Sequence, residues 1–133
     1  MMSKIVYEGN LRARMTHIYS GAEIITDAPL DNQGLAQSFS PTDLTAVSLG
    51  SCMITVMGIK ARDMSIELKG TELEVTKVMA TNPRRISEVH VTIKFPSNTF
   101  SDKEKAILEN TAKTCPVSQS LHPDIKQEIV FVW

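Results

Sequence analysis

Two cysteines, Cys52 and Cys115, are the residues of this chain best suited to carry chemistry, and the chain has no others. Cys52 lies in the run SPTDLTAVSLGSCMITVMGIKAR, residues 40–62, and Cys115 opens the run CPVSQSL, residues 115–121. Their spacing fits neither a Cys-x-x-Cys redox motif nor a four-cysteine zinc site. If they work as a pair, the chemistry is reversible oxidation of sulfur.

The composition is that of an ordinary soluble globular protein. The chain has 133 residues, 22% of them charged and 42% hydrophobic, with a net charge of −1. This fits a single domain over residues 1–133 and favours neither nucleic acid nor an anionic membrane surface as a partner. We expect no signal peptide, because residues 1–10 already read as a charged strand. The expected compartment is the cytosol, where a disulfide is usually transient and catalytic.

The first part of the chain predicts three short strands separated by turns, at residues 4–8, 11–19 and 22–27. A polar loop, residues 28–39, follows and is a candidate lid or binding loop. A long helix comes next. Ser40 is its N-cap, Pro41 takes the first helical position, and Asp43 is the acid of a capping box. We expect this helix to run to about Asp63.

The second part predicts two long strands, two helices and a final strand, at residues 72–81, 86–95, 101–114, 116–121 and 125–132. The strand from Ile86 alternates, with Val89, Val91 and Ile93 on one face. The complete order is βββ-α-ββ-αα-β. This order predicts an α+β fold with a mainly antiparallel sheet around the long, buried helix.

The long helix is apolar around nearly its whole circumference. Its uncharged stretch, residues 44–59, is too short for a typical membrane span and contains Thr45, Ser48 and Thr55. A soluble helix of this kind must be buried on every side, which one small sheet cannot achieve. We therefore expect a homodimer in which two such helices pack together beneath sheet from both chains.

Cys52 needs a nearby cation to be reactive, because burial among apolar side chains raises the pKa of a thiol. Its own helix offers little, since Lys60, the first basic residue after it, lies more than two turns away. Arg12 and Arg14, which share a face of the second predicted strand, are the best candidates. Either could stabilise the thiolate or hold a peroxide oxygen, and either could be a solvated strand charge.

Other candidates have competing structural explanations. Asp43 could orient an arginine, but on an ideal helix it lies about 13 Å along the axis from Cys52, and a capping role accounts for it. Cys115 is either a core thiol or one whose pKa is lowered by the positive end of the following helix. Met53 and Met57 have core spacing and could also wall an apolar pocket that binds substrate. The three histidines show no metal-ligand spacing.

The two cysteine motifs together resemble the OsmC/Ohr family of organic hydroperoxide reductases. SPTDLTAVSLGSC is followed at a distance by CPVSQSL, and YEGNLRARMTHIYSGAEIITDAP, residues 7–29, is similar to that family's N-terminal hairpin region. The similarity covers nearly the whole chain, and the predicted order of elements agrees with it. The resemblance implies an OsmC-like fold and an intertwined homodimer with active sites at the subunit interface.

The resemblance also implies roles for individual residues. Cys52 would be the peroxidatic thiol and Cys115 the resolving thiol, with Arg12 and an acid before the helix holding the thiolate. That acid position falls on Thr42 in one branch of the family and on Asp43 in the other, and Thr42 cannot hold an arginine by charge. The implied activity is reduction of organic hydroperoxides, without a bound cofactor and with an external dithiol, of lipoyl type, as reductant.

Two other functions stay open on the residues alone. The first is a non-catalytic dimeric module whose pocket binds a hydrophobic small molecule beside inert cysteines. The second is thiol-dependent hydrolysis through Cys52, for which no histidine is readable as the base.

Overall fold

The computed structural model describes residues 1–96 and 100–133, and its elements follow the predicted order. They are β1 Ser3–Gly9, β2 Arg12–His17, β3 Glu23–Asp27, α1 Pro41–Asp63, β4 Glu72–Thr81, β5 Arg84–Lys94, α2 Asp102–Lys113, α3 Pro116–Ser120 and β6 Lys126–Val132. The predicted α+β class is confirmed, and most bounds differ from the prediction by one or two residues. The chain divides into two compact units, Met1–Thr45 and Ala46–Trp133, and the single domain expected from its length stays a prediction.

The strands form two three-stranded sheets, and the mainly antiparallel pairing that the sequence predicted is confirmed. The first has the order β1-β2-β3 and is antiparallel throughout. The second has the order β4-β5-β6, with β4 antiparallel and β6 parallel to β5. The parallel pair arises because α2 and α3 connect β5 to β6, and such a crossover returns the chain in the same direction.

The first unit has no apolar core of its own. In residues 1–45 the buried side chains are Thr26, Asp27 and Ser40, which are all polar. Large apolar side chains of its strands are exposed, including Ile5, at 63%, and Tyr7, at 67%. A three-stranded sheet needs a buried apolar face to be stable. The apolar surface of this sheet therefore requires a cover.

The second unit contains the hydrophobic core. One face of α1 supplies a buried stripe with helical spacing, which consists of Ala46, Leu49, Met53, Met57 and Ala61. The inward face of β5 supplies Val89, Val91 and Ile93, as its alternation predicted, and α2 supplies Leu108 and Ala112. Helix α1 is also long and apolar enough to cross a membrane by length and composition. Its buried stripe is that of a globular core helix.

Gly50 allows α1 to lie very close to the second sheet. A Cβ atom at this position would lie 3.1 Å from Val75 Cγ2 and 3.4 Å from Leu73 Cδ2. Gly58, two turns later on the same helix, has no such neighbour within 4 Å. Cys52 lies between these two glycines. The distance of its segment of α1 from the second sheet therefore depends on the missing side chain at residue 50.

A cluster of stacked and edge-to-face aromatic rings secures α2 to the end of the second sheet. The ring of Trp133 stacks on Phe95 at 3.9 Å and meets Phe100 edge to face at 5.4 Å. Its indole Nε1 donates a hydrogen bond to Glu109 Oε1 on α2 at 3.1 Å. Because α3 follows directly after α2, this cluster helps to fix the segment that carries Cys115.

The close packing at Gly50 predicts different effects for two matched substitutions. Gly50→Ala and Gly58→Ala each gain about 1 kcal/mol of helix propensity, but the added methyl at residue 50 must displace Val75, and overpacking costs roughly 1–3 kcal/mol. We expect Gly58→Ala to stabilise the protein and Gly50→Ala to be less stable than Gly58→Ala by at least about 1 kcal/mol. Urea unfolding measures both, and equal stabilisation would contradict the close approach.

Candidate active site

The structure brings the two cysteines together within the second unit. Both are free thiols, and the Cys52 side chain is near enough to the Cys115 thiol to raise its pKa. Cys52 is half-buried on α1, whereas Cys115 is only 1% exposed. A reagent from solution can therefore approach Cys52 but reaches Cys115 only past its neighbours. This asymmetry matches a pair in which one thiol meets the substrate and the other meets only the first thiol.

Cys115 occupies the N-cap of α3, with Pro116 in the first helical position. Its Sγ accepts a hydrogen bond from the backbone N–H of Ser118 at 3.4 Å. Burial raises the pKa of the Cys115 thiol, the contact with Cys52 acts in the same direction, and the N–H groups of Ser118 and Val117 oppose both. Of the two alternatives that the sequence left open for Cys115, the structure therefore favours the core thiol over the thiol of lowered pKa. The N–H groups at the start of α3 do lower the pKa of this thiol, but in so short a helix they offset only part of the effect of burial.

Gln127 holds the first turn of α3 from the neighbouring strand β6. Its Oε1 accepts a hydrogen bond from Ser118 Oγ at 2.7 Å, and its Nε2 donates to the Ser118 carbonyl oxygen at 3.0 Å. The sequence reasoning missed both residues. The available signal was a polar residue in line with Ile129 and Phe131 on the inward side of an alternating strand.

Arg12 lies in the first unit, directly opposite Asp27 in the pairing of β2 with β3. Its Nη2 is 3.8 Å from Asp27 Oδ2, and the Asp27 side chain is only 1% exposed. The same Oδ2 accepts a hydrogen bond from the Gln37 backbone N–H at 2.9 Å. Arg12 and Asp27 line a pocket of about 240 Å³ together with Ile25, Gln37 and Ser38. Asp27 is thus a buried carboxylate that holds Arg12, and it was missed because the pairing register was not predictable.

Asp43 forms the capping box that the sequence predicted. The Ser40 backbone N–H donates to Asp43 Oδ2 at 2.8 Å, and the Asp43 N–H donates to Ser40 Oγ at 3.1 Å. Thr42 Oγ1 lies 3.1 Å from Ser40 Oγ, so Thr42 also belongs to the helix start. The capping role of Asp43 is confirmed, and a catalytic role stays a prediction.

Three further candidates, Arg14, Met53 and Met57, lie where a structural role accounts for them. Arg14 is held by Glu8 and Glu23, with its Nε 2.6 Å from Glu8 Oε1 and its Nη1 3.1 Å from Glu23 Oε2. The hydrogen bond to Glu8, with that to Glu23, raises the pKa of Arg14. Met53 and Met57 are both 0% exposed and pack in the core of the second unit. These positions favour a surface ion-pair role for Arg14 and core packing for the two methionines.

A cluster of charged side chains lies on the outer face of the second sheet, away from the thiols in sequence. Glu88, His90 and Glu128 place one potential ligand atom each within 4.8 Å of one another. Lys126 Nζ lies 2.9 Å from Glu128 and 3.7 Å from Glu88. The hydrogen bond from His90, with the charge of Lys126, lowers the pKa of Glu88. We interpret the cluster as an ion-pair network, because the chain's own lysine already supplies the positive charge.

Comparisons with solved structures show the same fold over nearly the whole chain. A candidate osmotic stress-induced and detoxification response protein from Psychrobacter arcticus is 56% identical, with a TM-score of 0.95, over 98% of this chain and 95% of that chain. The organic hydroperoxide resistance protein OsmC of Legionella pneumophila is 13% identical, with a TM-score of 0.77, over 100% of this chain and 98% of that chain.

A third solved structure is a candidate organic hydroperoxide resistance protein from Vibrio cholerae, with captopril bound in one of its active sites. It is 16% identical to this chain, with a TM-score of 0.74, over 98% of this chain and 91% of that chain. At this identity, and at that of the Legionella protein, the likeness concerns the fold alone.

The search of curated proteins finds no match. The model of one protein family does match the sequence. The family model described as OsmC-like protein matches residues 33–130, which include both cysteines, α1 and most of the second unit. This chain therefore belongs to the OsmC-like protein family.

Proposed function

We propose that this protein is a thiol-dependent peroxidase that reduces organic hydroperoxides to alcohols. The observation that carries the proposal is the proximity of half-buried Cys52 to buried Cys115 in a chain of the OsmC-like family. Proteins of the same fold are named for organic hydroperoxide resistance. The most informative relative, at 56% identity, is named for a detoxification response. These names agree with an oxidative-stress function.

The first step takes place at Cys52. Its thiolate attacks the outer oxygen of a hydroperoxide, ROOH, so that a sulfur–oxygen bond forms while the oxygen–oxygen bond breaks. The leaving alkoxide takes up a proton and departs as the alcohol ROH. Cys52 becomes a sulfenic acid, and two electrons pass from sulfur to the peroxide.

The second step consumes the sulfenic acid. The Cys115 sulfur attacks the Cys52 sulfur, the sulfur–oxygen bond breaks, and the hydroxyl group leaves as water with the Cys115 proton. The product is a Cys52–Cys115 disulfide. An external dithiol, of lipoyl type, then reduces it by thiol–disulfide exchange and becomes a cyclic disulfide itself. A cytosolic location fits this cycle, since cellular reductants keep thiols reduced there.

Arg12 is the proposed source of positive charge for the Cys52 thiolate. Its support is that the guanidinium lines a pocket large enough for a small group and is held by a buried carboxylate, Asp27. A buried, hydrogen-bonded carboxylate fixes the geometry of an arginine. In this proposal Asp27 does what the family's acid before the helix does elsewhere, and Asp43 serves as the cap of α1.

The homodimer is part of the proposal for a physical reason. The first unit exposes the apolar side chains of its sheet and buries none of them, and Ile59 on α1 is 51% exposed. Surfaces of this kind are characteristic of protein–protein interfaces. A second copy of the chain would cover them, as the predicted packing of two long helices requires.

Substitution of each cysteine separates the two steps. We expect Cys52→Ser to abolish consumption of cumene hydroperoxide in the presence of dihydrolipoamide, because the attacking sulfur is gone. Cys115→Ser should consume about one equivalent and then stall as a Cys52 sulfenic acid, which dimedone traps and mass spectrometry detects. Full turnover by Cys52→Ser would reject the mechanism. A wild-type protein that consumes no peroxide would favour the non-catalytic binding module.

The role of Arg12 is tested by the reactivity of Cys52 toward a small alkylating agent at pH 6. We expect Arg12→Met to slow alkylation by about tenfold, since a neighbouring cation lowers a thiol pKa by about one unit or more. Asp27→Asn, which keeps a hydrogen-bond acceptor but loses the charge, should give a smaller decrease. Arg14→Met is the matched control and should react like the wild type. Equal rates for Arg12→Met and Arg14→Met would remove Arg12 from the site.

Light scattering coupled to size-exclusion chromatography measures the oligomeric state. We expect a mass of two chains at micromolar concentration, because the apolar surface of residues 1–45 has to be covered. The control is the same measurement after mild urea has dissociated the protein. A folded monomer with protected backbone amides in β1–β3 would contradict the dimer.

A further inference from the structure

We propose that Gln127 is a positioning residue for Cys115: it holds the turn whose backbone N–H supports the buried thiol. The proposal rests on the function proposed above, in which Cys115 resolves the oxidised Cys52. Gln127 does not touch either sulfur. It acts through Ser118, the residue that contacts both Gln127 and Cys115.

The position of Gln127 in the sheet is fixed by its partner on the neighbouring strand and by its neighbours along β6. It lies on β6, opposite Val89 of the central strand β5, which is fully buried. Its neighbours on the inward side, Ile129 and Phe131, pack against the hydrophobic core. An amide on such a face is costly unless its polar atoms are hydrogen-bonded. In the described part of the chain no buried side-chain nitrogen or oxygen lacks a partner.

Gln127 uses both ends of its amide on a single residue. The carbonyl end accepts from Ser118 Oγ, and the NH₂ end donates to the Ser118 backbone oxygen. Ser118 Oγ also lies 3.3 Å from the Lys113 carbonyl oxygen at the end of α2. The first turn of α3 is thereby tied to the sheet and to the preceding helix. A helix of five residues is too short to be stable alone, so these hydrogen bonds hold it in place.

The tether has a direct chemical consequence for Cys115. The thiol must lose its proton to attack sulfur, and burial opposes that loss. The Ser118 N–H at 3.4 Å from Sγ stabilises the developing negative charge. Gln127 keeps this N–H aimed at the sulfur and keeps Cys115 beside Cys52. Without Gln127 the turn would lose its link to β6. Burial would still raise the pKa of the Cys115 thiol, but the hydrogen bond from the Ser118 N–H would oppose it less.

Two substitutions at residue 127 test the proposal. Gln127→Met keeps the length and shape of the side chain but forms neither bond to Ser118. Gln127→Glu keeps an acceptor for the Ser118 hydroxyl group but offers no donor to the Ser118 carbonyl oxygen and adds a negative charge, so it should raise the Cys115 pKa at least as much as Gln127→Met. The matched control is Gln119→Met, which replaces an exposed glutamine on the same short helix.

The first readout does not depend on peroxidase activity. In a Cys52→Ser background, the rate of Cys115 alkylation is measured against pH, and the midpoint of the curve gives the thiol pKa. We expect Gln127→Met to move the midpoint upward, with the Cys115 thiolate fraction at pH 8 reduced about three- to tenfold, the value of one hydrogen bond. Gln119→Met should not move it. The midpoint is used because looser packing alone would raise the rate at every pH.

The second readout belongs to the proposed reaction. In protein with both cysteines, one equivalent of cumene hydroperoxide should form the Cys52 sulfenic acid at the normal rate in Gln127→Met. Disulfide formation should then be slower by about three- to tenfold. Disulfide formation at the normal rate in folded Gln127→Met would overturn the proposal, as would an unchanged midpoint in the first readout. If the wild type consumes no peroxide, the proposed function fails while the shift of the midpoint still tests Gln127.

Circular dichroism confirms that each variant is folded before either readout is taken. Should Gln127→Met not fold, Ser118→Ala removes the hydroxyl bond to Gln127 without changing β6 and is expected to shift the midpoint in the same direction by a smaller amount. A midpoint that is unchanged or lower in the folded variant rejects the positioning role.

Discussion

The packing of α1 against the inner face of the second sheet sets the position of both thiols. The helix can approach the sheet because residue 50 has no side chain, and its buried stripe then fills the space above Val89, Val91 and Ile93. Cys52 lies beside this stripe on the half-buried side of the helix. The same core seals the segment between α2 and α3, so Cys115 is buried where it meets Cys52. The packing of the hydrophobic core therefore determines where both thiols lie.

This arrangement gives the two thiols different properties. Cys52 stays partly open to solvent, while Cys115 is enclosed and its pKa is raised, chiefly by burial. A high pKa protects the enclosed thiol from oxidation and also slows its reaction with the sulfenic acid. The hydrogen bond from Ser118, supported by Gln127, offsets part of that cost. In the proposed cycle, burial would keep the Cys115 thiol inert until Cys52 has been oxidised.

Several features could be predicted because they depend on local sequence. The capping box of Ser40 and Asp43 and the alternation of β5 follow from short-range patterns and are confirmed. The family came from two motifs taken together and is confirmed, whereas the redox pairing of Cys52 with Cys115 that the same motifs imply stays a prediction. Other features depend on which strands meet. The choice of β5 as the partner of β6 and the placement of Asp27 opposite Arg12 depend on strand pairing and register, which no local pattern encodes.

The sequence offered both a core thiol and a thiol of lowered pKa at Cys115, but no local pattern could decide between them. The structure decides it, because burial outweighs the effect of the helix end on the pKa. The most direct test of the account is the mass of the wild-type protein after one equivalent of cumene hydroperoxide. The account predicts a loss of two hydrogens per chain and a peptide that links Cys52 to Cys115. Consumption of peroxide without that link, or no consumption at all, would contradict it.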